Sequence, residues 1–336
     1  MPQNNGQPLV AVQNLQKYFN LQNKGQLHAV DDVSFTVMPG ETMGLVGESG
    51  CGKSTVGNLL MKLLPATGGR VLFKGENIFD AKGARDMEFR KKMQIIFQDP
   101  FSSLNPQKTV RIIFSEPYQI HKLAKNPQEM NEKIEAIAAL VGLEEYVLDK
   151  YPHELDGGRR QLVGIARALA LAPEFIVCDE PVSSLDVSIQ ANIINLLMDL
   201  QQQLKLSYLF ISHDLSVVRH ISNRIAVMYL GQIVELADAD VIFSNTLHPY
   251  SIALLSAVPK IDLAGKTERI LLKGDVPNPI DPPDCCRFAS RCWMAQAMCR
   301  EKSPQLLEAE PNHYVACFRH KESQKNKLQR KDDSIL

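Results

Sequence analysis

The sequence predicts an α/β fold built on a buried parallel sheet, and three observations point to it. Two short, largely apolar runs, "EFIVCDE" (174–180) and "LSYLFISHD" (206–214), have helical stretches between and after them. That is the pattern of a parallel sheet covered on both faces. A glycine-rich stretch, "GLVGESGCGKST" (44–55), joins a third apolar strand to a helix. Finally, 45% of the 336 residues are apolar, enough for a substantial core.

Taken in order, residues 9–46 alternate apolar and polar, as in "LVAVQNL" and "VDDVSFTVMPGETMGLV". They predict strands separated by turns at 20–26 and at Pro39-Gly40. "STVGNLLMKLL" has helical spacing and stops at Pro65; "GGRVLFKGENIF" predicts a strand pair. From Arg85 to Ala170 the pattern is mostly helical, with breaks expected at Pro100, Pro106, Pro117, Pro127 and Pro152. "RIAVMYLGQIVEL" predicts a strand, a turn at Gly231 and a second strand. Beyond Val258 prolines become dense (Pro277, Pro279, Pro282, Pro283), and cysteines follow. These shifts divide the chain into a main domain at 8–258, an appended module at 259–320 and a charged, disordered tail at 321–336.

Charge and cysteine usage narrow the function. With 37 basic and 38 acidic residues the net charge is −1, which gives no electrostatic reason to expect nucleic acid as a partner. The start, "MPQNNGQPLV", does not resemble a signal peptide, and no apolar run approaches the roughly 18–20 residues that span a bilayer. A cytosolic chain is expected, reaching a membrane only through partners. Five of the seven cysteines fall between 285 and 317. In a reducing compartment such clustering favours a metal over disulfides.

The glycine-rich stretch contains Gly47-x4-Gly52-Lys53-Ser54, the P-loop pattern, in the strand-to-helix context that pattern needs. Gly47, Ser49, Gly50, Cys51, Gly52, Lys53, Ser54 and Thr55 are the candidate phosphate site. Glycines let backbone N–H groups close round phosphates, Lys53 reaches the β- and γ-phosphates, and the Ser54 hydroxyl ligates Mg²⁺. Asp179 and Glu180 end an apolar strand, where ligands bind in such sheets. Asp179 would orient Mg²⁺, and Glu180 would act as general base on the attacking water. His213 lies past the next strand as a donor to the γ-phosphate. Gln98, after the strand in "IIFQDP", would bond metal and water. The bland alternatives are a glycine turn, a solvated acid pair and a structural histidine.

Together these motifs resemble the ATPase subunits of ABC transporters. "GESGCGKST" is similar to Walker A, "FQDP" to the Q-loop, "FIVCDE" to Walker B with its following glutamate, "SSLD" to the D-loop and "SHD" to the switch histidine. All stand in family order within 8–258. The resemblance implies a P-loop NTPase with a RecA-like parallel-sheet core, an antiparallel β subdomain and a helical subdomain at about 100–170. It also implies a head-to-tail dimer, with each ATP held between one subunit's P-loop and the other's signature helix. Phe19 takes the place of the aromatic that stacks on adenine, with Tyr18 as the fallback and a core aromatic as the bland alternative.

The C-terminal stretch resembles the extension of the oligopeptide/dipeptide (and nickel) importer ATPases. Its spacing is Cys286-x5-Cys292-x6-Cys299-x17-Cys317. The resemblance implies a [4Fe-4S] cluster on these four cysteines, with Cys285 able to replace Cys286. Zinc is the alternative, with His313 and His320 nearby; reduced, unliganded thiols are the bland one. Cys51 and Cys178 read as small packing residues, although Cys51 could be a redox-sensitive thiol against the phosphates.

One departure stands out. "YPHELDGGRRQ" occupies the signature position, usually LSGGQ, but Asp156 replaces the serine and Arg159 the glutamine. Aspartate caps a helix as well as serine does. It cannot donate a hydrogen bond, and a like charge about 4 Å from a γ-phosphate costs on the order of 1–4 kcal/mol. Asp156, Gly157, Gly158 and Arg159 are therefore expected to face a partner's ATP at a weakened site, which calls for a second, unlike ATPase. Two permeases and, indirectly, an extracytoplasmic binding protein complete the expected assembly at the cytoplasmic face of the membrane. The alternatives are a regulatory nucleotide-binding subunit with weak hydrolysis, an ATPase for nickel or another small solute, and a soluble ABC ATPase acting on DNA or ribosomes. The last would need a coiled-coil insertion or tandem cassettes.

Overall fold

The computed structural model describes residues 6–22, 24–258, 269–272, 274 and 277–319. The tail expected at 321–336, and His320, lie outside them. The chain opens with a long antiparallel hairpin, β1 (Val10–Leu21) and β2 (Gly25–Val37), followed by β3 (Thr42–Val46) and α1 (Lys53–Leu60). Next come β4 (Gly68–Phe73) and β5 (Glu76–Asn77), which complete a four-stranded antiparallel sheet of order β2-β1-β4-β5.

The predominantly helical stretch holds α2 (Ala84–Lys92), β6 (Met93–Ile96), α3 (Pro100–Ser103), α4 (Val110–Ile120), α5 (Pro127–Leu140) and α6 (Gly157–Leu169). Asn126 starts α5 by accepting from the Glu129 N–H at 2.8 Å, with Pro127 in the first turn, where its missing N–H costs nothing. The break expected at Pro117 does not occur, because α4 continues through it. One backbone hydrogen bond is lost there. Burial of Val110, Ile113, Phe114 and Tyr118 on one face of α4 offsets that loss.

The second half alternates strand and helix as expected: β7 (Phe175–Asp179), α7 (Val187–Leu204), β8 (Ser207–Ser212), α8 (Leu215–Ile221) and β9 (Arg224–Tyr229). Then follow β10 (Gln232–Asp238), α9 (Ala239–Ser244), α10 (Pro249–Ser256), β11 (Leu307–Glu310) and β12 (His313–Val315). The main sheet has eight strands in the order β11-β12-β10-β9-β3-β8-β7-β6. From β9 to β6 every pairing is parallel.

Strand periodicity divides the core into two layers. Ile176, Cys178, Tyr208 and Phe210 face the layer with α4, α6 and α7. The intervening Phe175, Val177, Leu209 and Ile211 face α1 and the antiparallel sheet.

The stretch expected to be an appended module is continuous with this sheet. β12 pairs antiparallel with β10, matching Glu235 with Val315 and Leu236 with Tyr314. A buried carboxylate fixes the junction. Glu235 is fully buried and accepts from Leu247 N at 2.7 Å and His248 N at 3.1 Å. The His313 ring nitrogen Nε2 lies 2.8 Å from the same carboxylate. Sequence spacing could not indicate this pairing, since the partners are 78 residues apart.

Replacing Glu235 with Leu strands two backbone donors and a buried histidine, so we expect a loss of about 3–5 kcal/mol in stability. Urea unfolding measures it, and a loss under about 1 kcal/mol would show that water can substitute for the carboxylate.

Candidate nucleotide site

Parallel pairing delivers β3, β7 and β8 to one edge of the sheet. Val46 lies opposite Ser212, and Asp179 opposite Ile211. The loops leaving these strands therefore meet. They line a cavity of about 600 Å³ with Ser49, Gly50, Cys51, Gly52, Lys53, Ser54 and Thr55 on one side, and Gln98, Glu180 and His213 on the other.

The loop between β3 and α1 is held in a form only glycine permits at two points. Gly52 has φ 107°, and a Cβ there would lie 2.1 Å from the Ala29 carbonyl oxygen. At Gly47 a Cβ would lie 2.2 Å from the Met228 carbonyl oxygen. The helix that follows has no side-chain cap and no acid in its first turn, so its first N–H groups are free for an anion. Lys53 is nearly buried, its Nζ donating to the carbonyls of Gly47 at 2.9 Å and Glu48 at 3.0 Å. The Ser54 hydroxyl donates to Asp179 Oδ1 at 2.8 Å. Burial pushes the Asp179 carboxyl above the usual range and Glu180 adds to this, against the Ser54 hydrogen bond and the Lys53 charge.

Glu180 sits at the centre of the opposite wall. Gln98 Nε2 donates to its Oε2 at 3.0 Å, and His213 Nδ1 lies 3.2 Å from the same oxygen. Its backbone is left-handed, φ 46°, held by its N–H bonding the Ile211 carbonyl at 2.9 Å. Such a conformation costs of order 1–3 kcal/mol and persists only where the surrounding structure holds it. The Ser54 hydroxyl, the Asp179 carboxylate and the Gln98 amide oxygen are hard donors of the kind that suits Mg²⁺.

At the far end of the cavity Phe19 is a wall, beside Leu27, His28 and Pro279. Tyr18, the fallback, is engaged elsewhere: its hydroxyl donates to Asp31 and its ring stacks on His28 at 4.0 Å. Burial raises the Cys51 thiol, which favours its packing role over a reactive one. Cys178 is fully buried and likewise raised by burial.

The signature segment lies outside this cavity. Asp156 caps α6, its Oδ1 accepting from Arg159 N at 2.8 Å and its Oδ2 from Arg159 Nη1 at 3.1 Å. Both oxygens are thus engaged within one helical turn. Gly157 and Gly158 pack closely on Leu185 and Ile189.

The four-thiolate metal site needs correction. Cys286, Cys292, Cys299 and Cys317 do line one small cavity, with His248 and Phe288. Its free space is about 10 Å³, near the minimum for one water. Among the described residues, no group of three or more Cys, His, Asp or Glu is placed to hold a metal ion, so the iron–sulfur and zinc expectations find no support in the structure. Burial raises Cys286 and Cys317 to about 11, as expected for protonated thiols in an apolar pocket. Cys285 lies outside this cavity, and His313 is committed to Glu235.

Several cavity residues escaped sequence reading. Pro279 falls in the proline-dense stretch assigned to the appended module, yet its carbonyl accepts from His28 N at 3.0 Å and it lines the cavity beside Phe19. Leu230 and Gly231 belong to a turn whose only local signal was its glycine.

Comparison with known proteins agrees with this geometry. Residues 30–183 match the family model described as "ABC transporter", and residues 234–299 match "Oligopeptide/dipeptide transporter, C-terminal region". The oligopeptide transport ATP-binding protein AppF of Bacillus subtilis is 49% identical over 322 residues, covering 93% of this chain and 98% of that protein. The dipeptide transport ATP-binding protein DppF of Haemophilus influenzae is 46% identical over 318 residues, covering 93% and 96%. Among solved structures, the ATP-binding cassette MJ0796, dimeric and bound to ADP and Pi, superposes with a TM-score of 0.63 at 27% identity. That match covers 68% of this chain and 98% of that one. Among the described residues, no helix is long and apolar enough to cross a membrane. The chain therefore belongs to the ATP-hydrolysing subunits of ABC transporters, in the group that carries the oligopeptide/dipeptide transporter C-terminal region.

Proposed function

We propose that this chain energises an importer of the oligopeptide/dipeptide class from the cytoplasmic face of the membrane. In that assembly it pairs with two permeases, an extracytoplasmic binding protein indirectly, and a second, unlike ATPase. The observation that carries the catalytic part is the convergence of Lys53, the Ser54–Asp179 pair and the Gln98–Glu180–His213 cluster on one cavity. The peptide class is supported by the oligopeptide and dipeptide transport roles of those relatives and by the C-terminal region.

In this reading Phe19 stacks on adenine, and the loop N–H groups and Lys53 cradle the phosphates. Ser54, Gln98 and Asp179 would hold Mg²⁺, which would neutralise charge developing on the phosphates. Glu180 takes a proton from the attacking water, and Gln98 and His213 keep its carboxylate aimed. His213 donates to the γ-phosphate as charge builds there.

Asp156 supports the asymmetric pairing. Its charge faces outward from α6, where a partner's γ-phosphate would lie, and Arg159 answers it in part. Serine would supply a hydroxyl donor there, and aspartate supplies none. This chain then contributes one sound half-site and one weakened one.

Three outcomes are expected. Glu180→Gln should keep ATP binding but cut turnover by about 10²–10⁴-fold; unchanged turnover would remove Glu180 as the base and revive a regulatory role. Asp156→Ser should raise turnover of the assembled transporter by about three- to tenfold, since about 1 kcal/mol of repulsion is relieved. If the rate stays level, capping is all that Asp156 does. The third concerns pH. A raised Asp179 pKa means the proton is kept to higher pH, so Mg²⁺ affinity should climb with pH from above the ordinary carboxylate range and then level off. Asp179→Asn should flatten this profile in a Mg²⁺ titration of ATP binding, and an equally steep profile in the variant would assign the titration to another group.

A further inference from the structure

The C-terminal region meets the phosphate loop at Glu48. Arg291 Nη1 donates to Glu48 Oε2 at 2.7 Å and Nη2 to Oε1 at 3.2 Å, a two-point fork across 243 residues of sequence. The arginine side chain is 8% exposed, and that of Glu48 26%. Glu48 lies between Gly47 and Ser49, and three other bonds converge on it. Its N–H donates to the Tyr250 hydroxyl at 2.8 Å. Its carbonyl accepts from Lys53 Nζ at 3.0 Å and from Cys51 N at 3.3 Å. A shift of Glu48 therefore moves the loop's backbone and the lysine that reaches the phosphates.

What holds Arg291 is the cysteine pocket. Arg291 is the chain neighbour of Cys292, and its N–H bonds the Phe288 carbonyl at 3.1 Å. Phe288 is buried and packs against Tyr229, Tyr250 and His248, at ring separations of 5.2, 5.4 and 5.7 Å. Cys292 and Phe288 both line the small cavity with Cys286, Cys299 and Cys317. The arginine thus projects from a packed support rather than from a free loop. Its charge also has a clear use, since an unpaired Glu48 carboxylate would oppose an anion bound by the same loop.

We propose that Arg291 is a positioning residue for the phosphate-binding loop: it neutralises and orients Glu48, and through Glu48 it sets the affinity of the loop for ATP. A fork of two parallel bonds fixes direction as well as charge, which a lysine could not do. The C-terminal region is then a working wall of the nucleotide site. The tie bears on nucleotide only if the loop holds it, as proposed above.

A double-mutant cycle in the full-length chain tests this, with ATP binding measured at equilibrium in the presence of Mg²⁺ for the parent, Arg291→Gln, Glu48→Gln and the double variant. Arg291→Gln should weaken ATP binding roughly tenfold beside Glu48 and less than about twofold in the Glu48→Gln background. Turnover at saturating ATP in the assembled transporter should change by less than about twofold, because the lost contact is made equally before and during the reaction. Equal weakening in both backgrounds, or none in either, overturns the proposal, as does a fall in saturated turnover with affinity intact. Should Arg291→Gln not fold, Arg291→Lys keeps the charge without the fork. It should still weaken binding about threefold, again only beside Glu48. A parent chain that binds no ATP would instead defeat the nucleotide reading itself.

Discussion

Parallel pairing of β3, β8 and β7 places the ends of three strands on one edge of the sheet, and the chemistry of the molecule depends on that alignment. Val46 leads into the phosphate loop, Ser212 into His213, and Asp179 into Glu180. In an antiparallel arrangement these loops would alternate between opposite edges. Because the strands are buried on both faces, their register is pinned by two apolar layers at once. A slip of one residue would exchange Val177 with Cys178 and invert every contact. The rigid core thus fixes the site by geometry, and the loops supply the reactive groups.

Two helix ends in this chain illustrate opposite uses of the same dipole. The N-terminus of α1 is uncapped and approached by Lys53 and Ser54, so its N–H groups serve an anion. The N-terminus of α6 is capped by Asp156, with Arg159 folded back on the cap. A sequence with serine there would present a neutral hydroxyl outward. Here the outward surface carries a balanced but ionic pair, and that difference underlies the asymmetric role proposed for the chain.

The C-terminal region is bound to the rest by polar contacts made at depth. Glu235 joins β10, the start of α10 and β12. Arg291 joins the cysteine pocket to the phosphate loop, and Arg287 donates to both Asp31 and the Leu230 carbonyl. Buried ionic contacts of this kind add modestly to stability but are costly to break singly, so they fix one arrangement over others. Cys286, Cys292, Cys299 and Cys317 line the apolar backing of this junction, and burial raises the thiols of Cys286, Cys292 and Cys317.

The local pattern of the sequence determined a good deal. Apolar periodicity gave β3, β7, β8 and the β9–β10 pair, because strand and helix periods are written in consecutive residues. The phosphate loop was legible because its glycines, Lys53 and Ser54 act within eight residues of one another. Asp179, Glu180, Gln98 and His213 could be placed at strand ends, although not at the distances that join Gln98 and His213 to one oxygen of Glu180. Only the tertiary structure decided that α4 runs through Pro117, since burial of its apolar face outweighs a local rule. It alone brought Pro279 to the nucleotide cavity and Arg291 to Glu48 of the phosphate loop, and, among the described residues, it places no group of the cysteines to hold a metal ion. The tie of Arg291 to Glu48 spans 243 residues, and no local pattern of residues encodes such a distance.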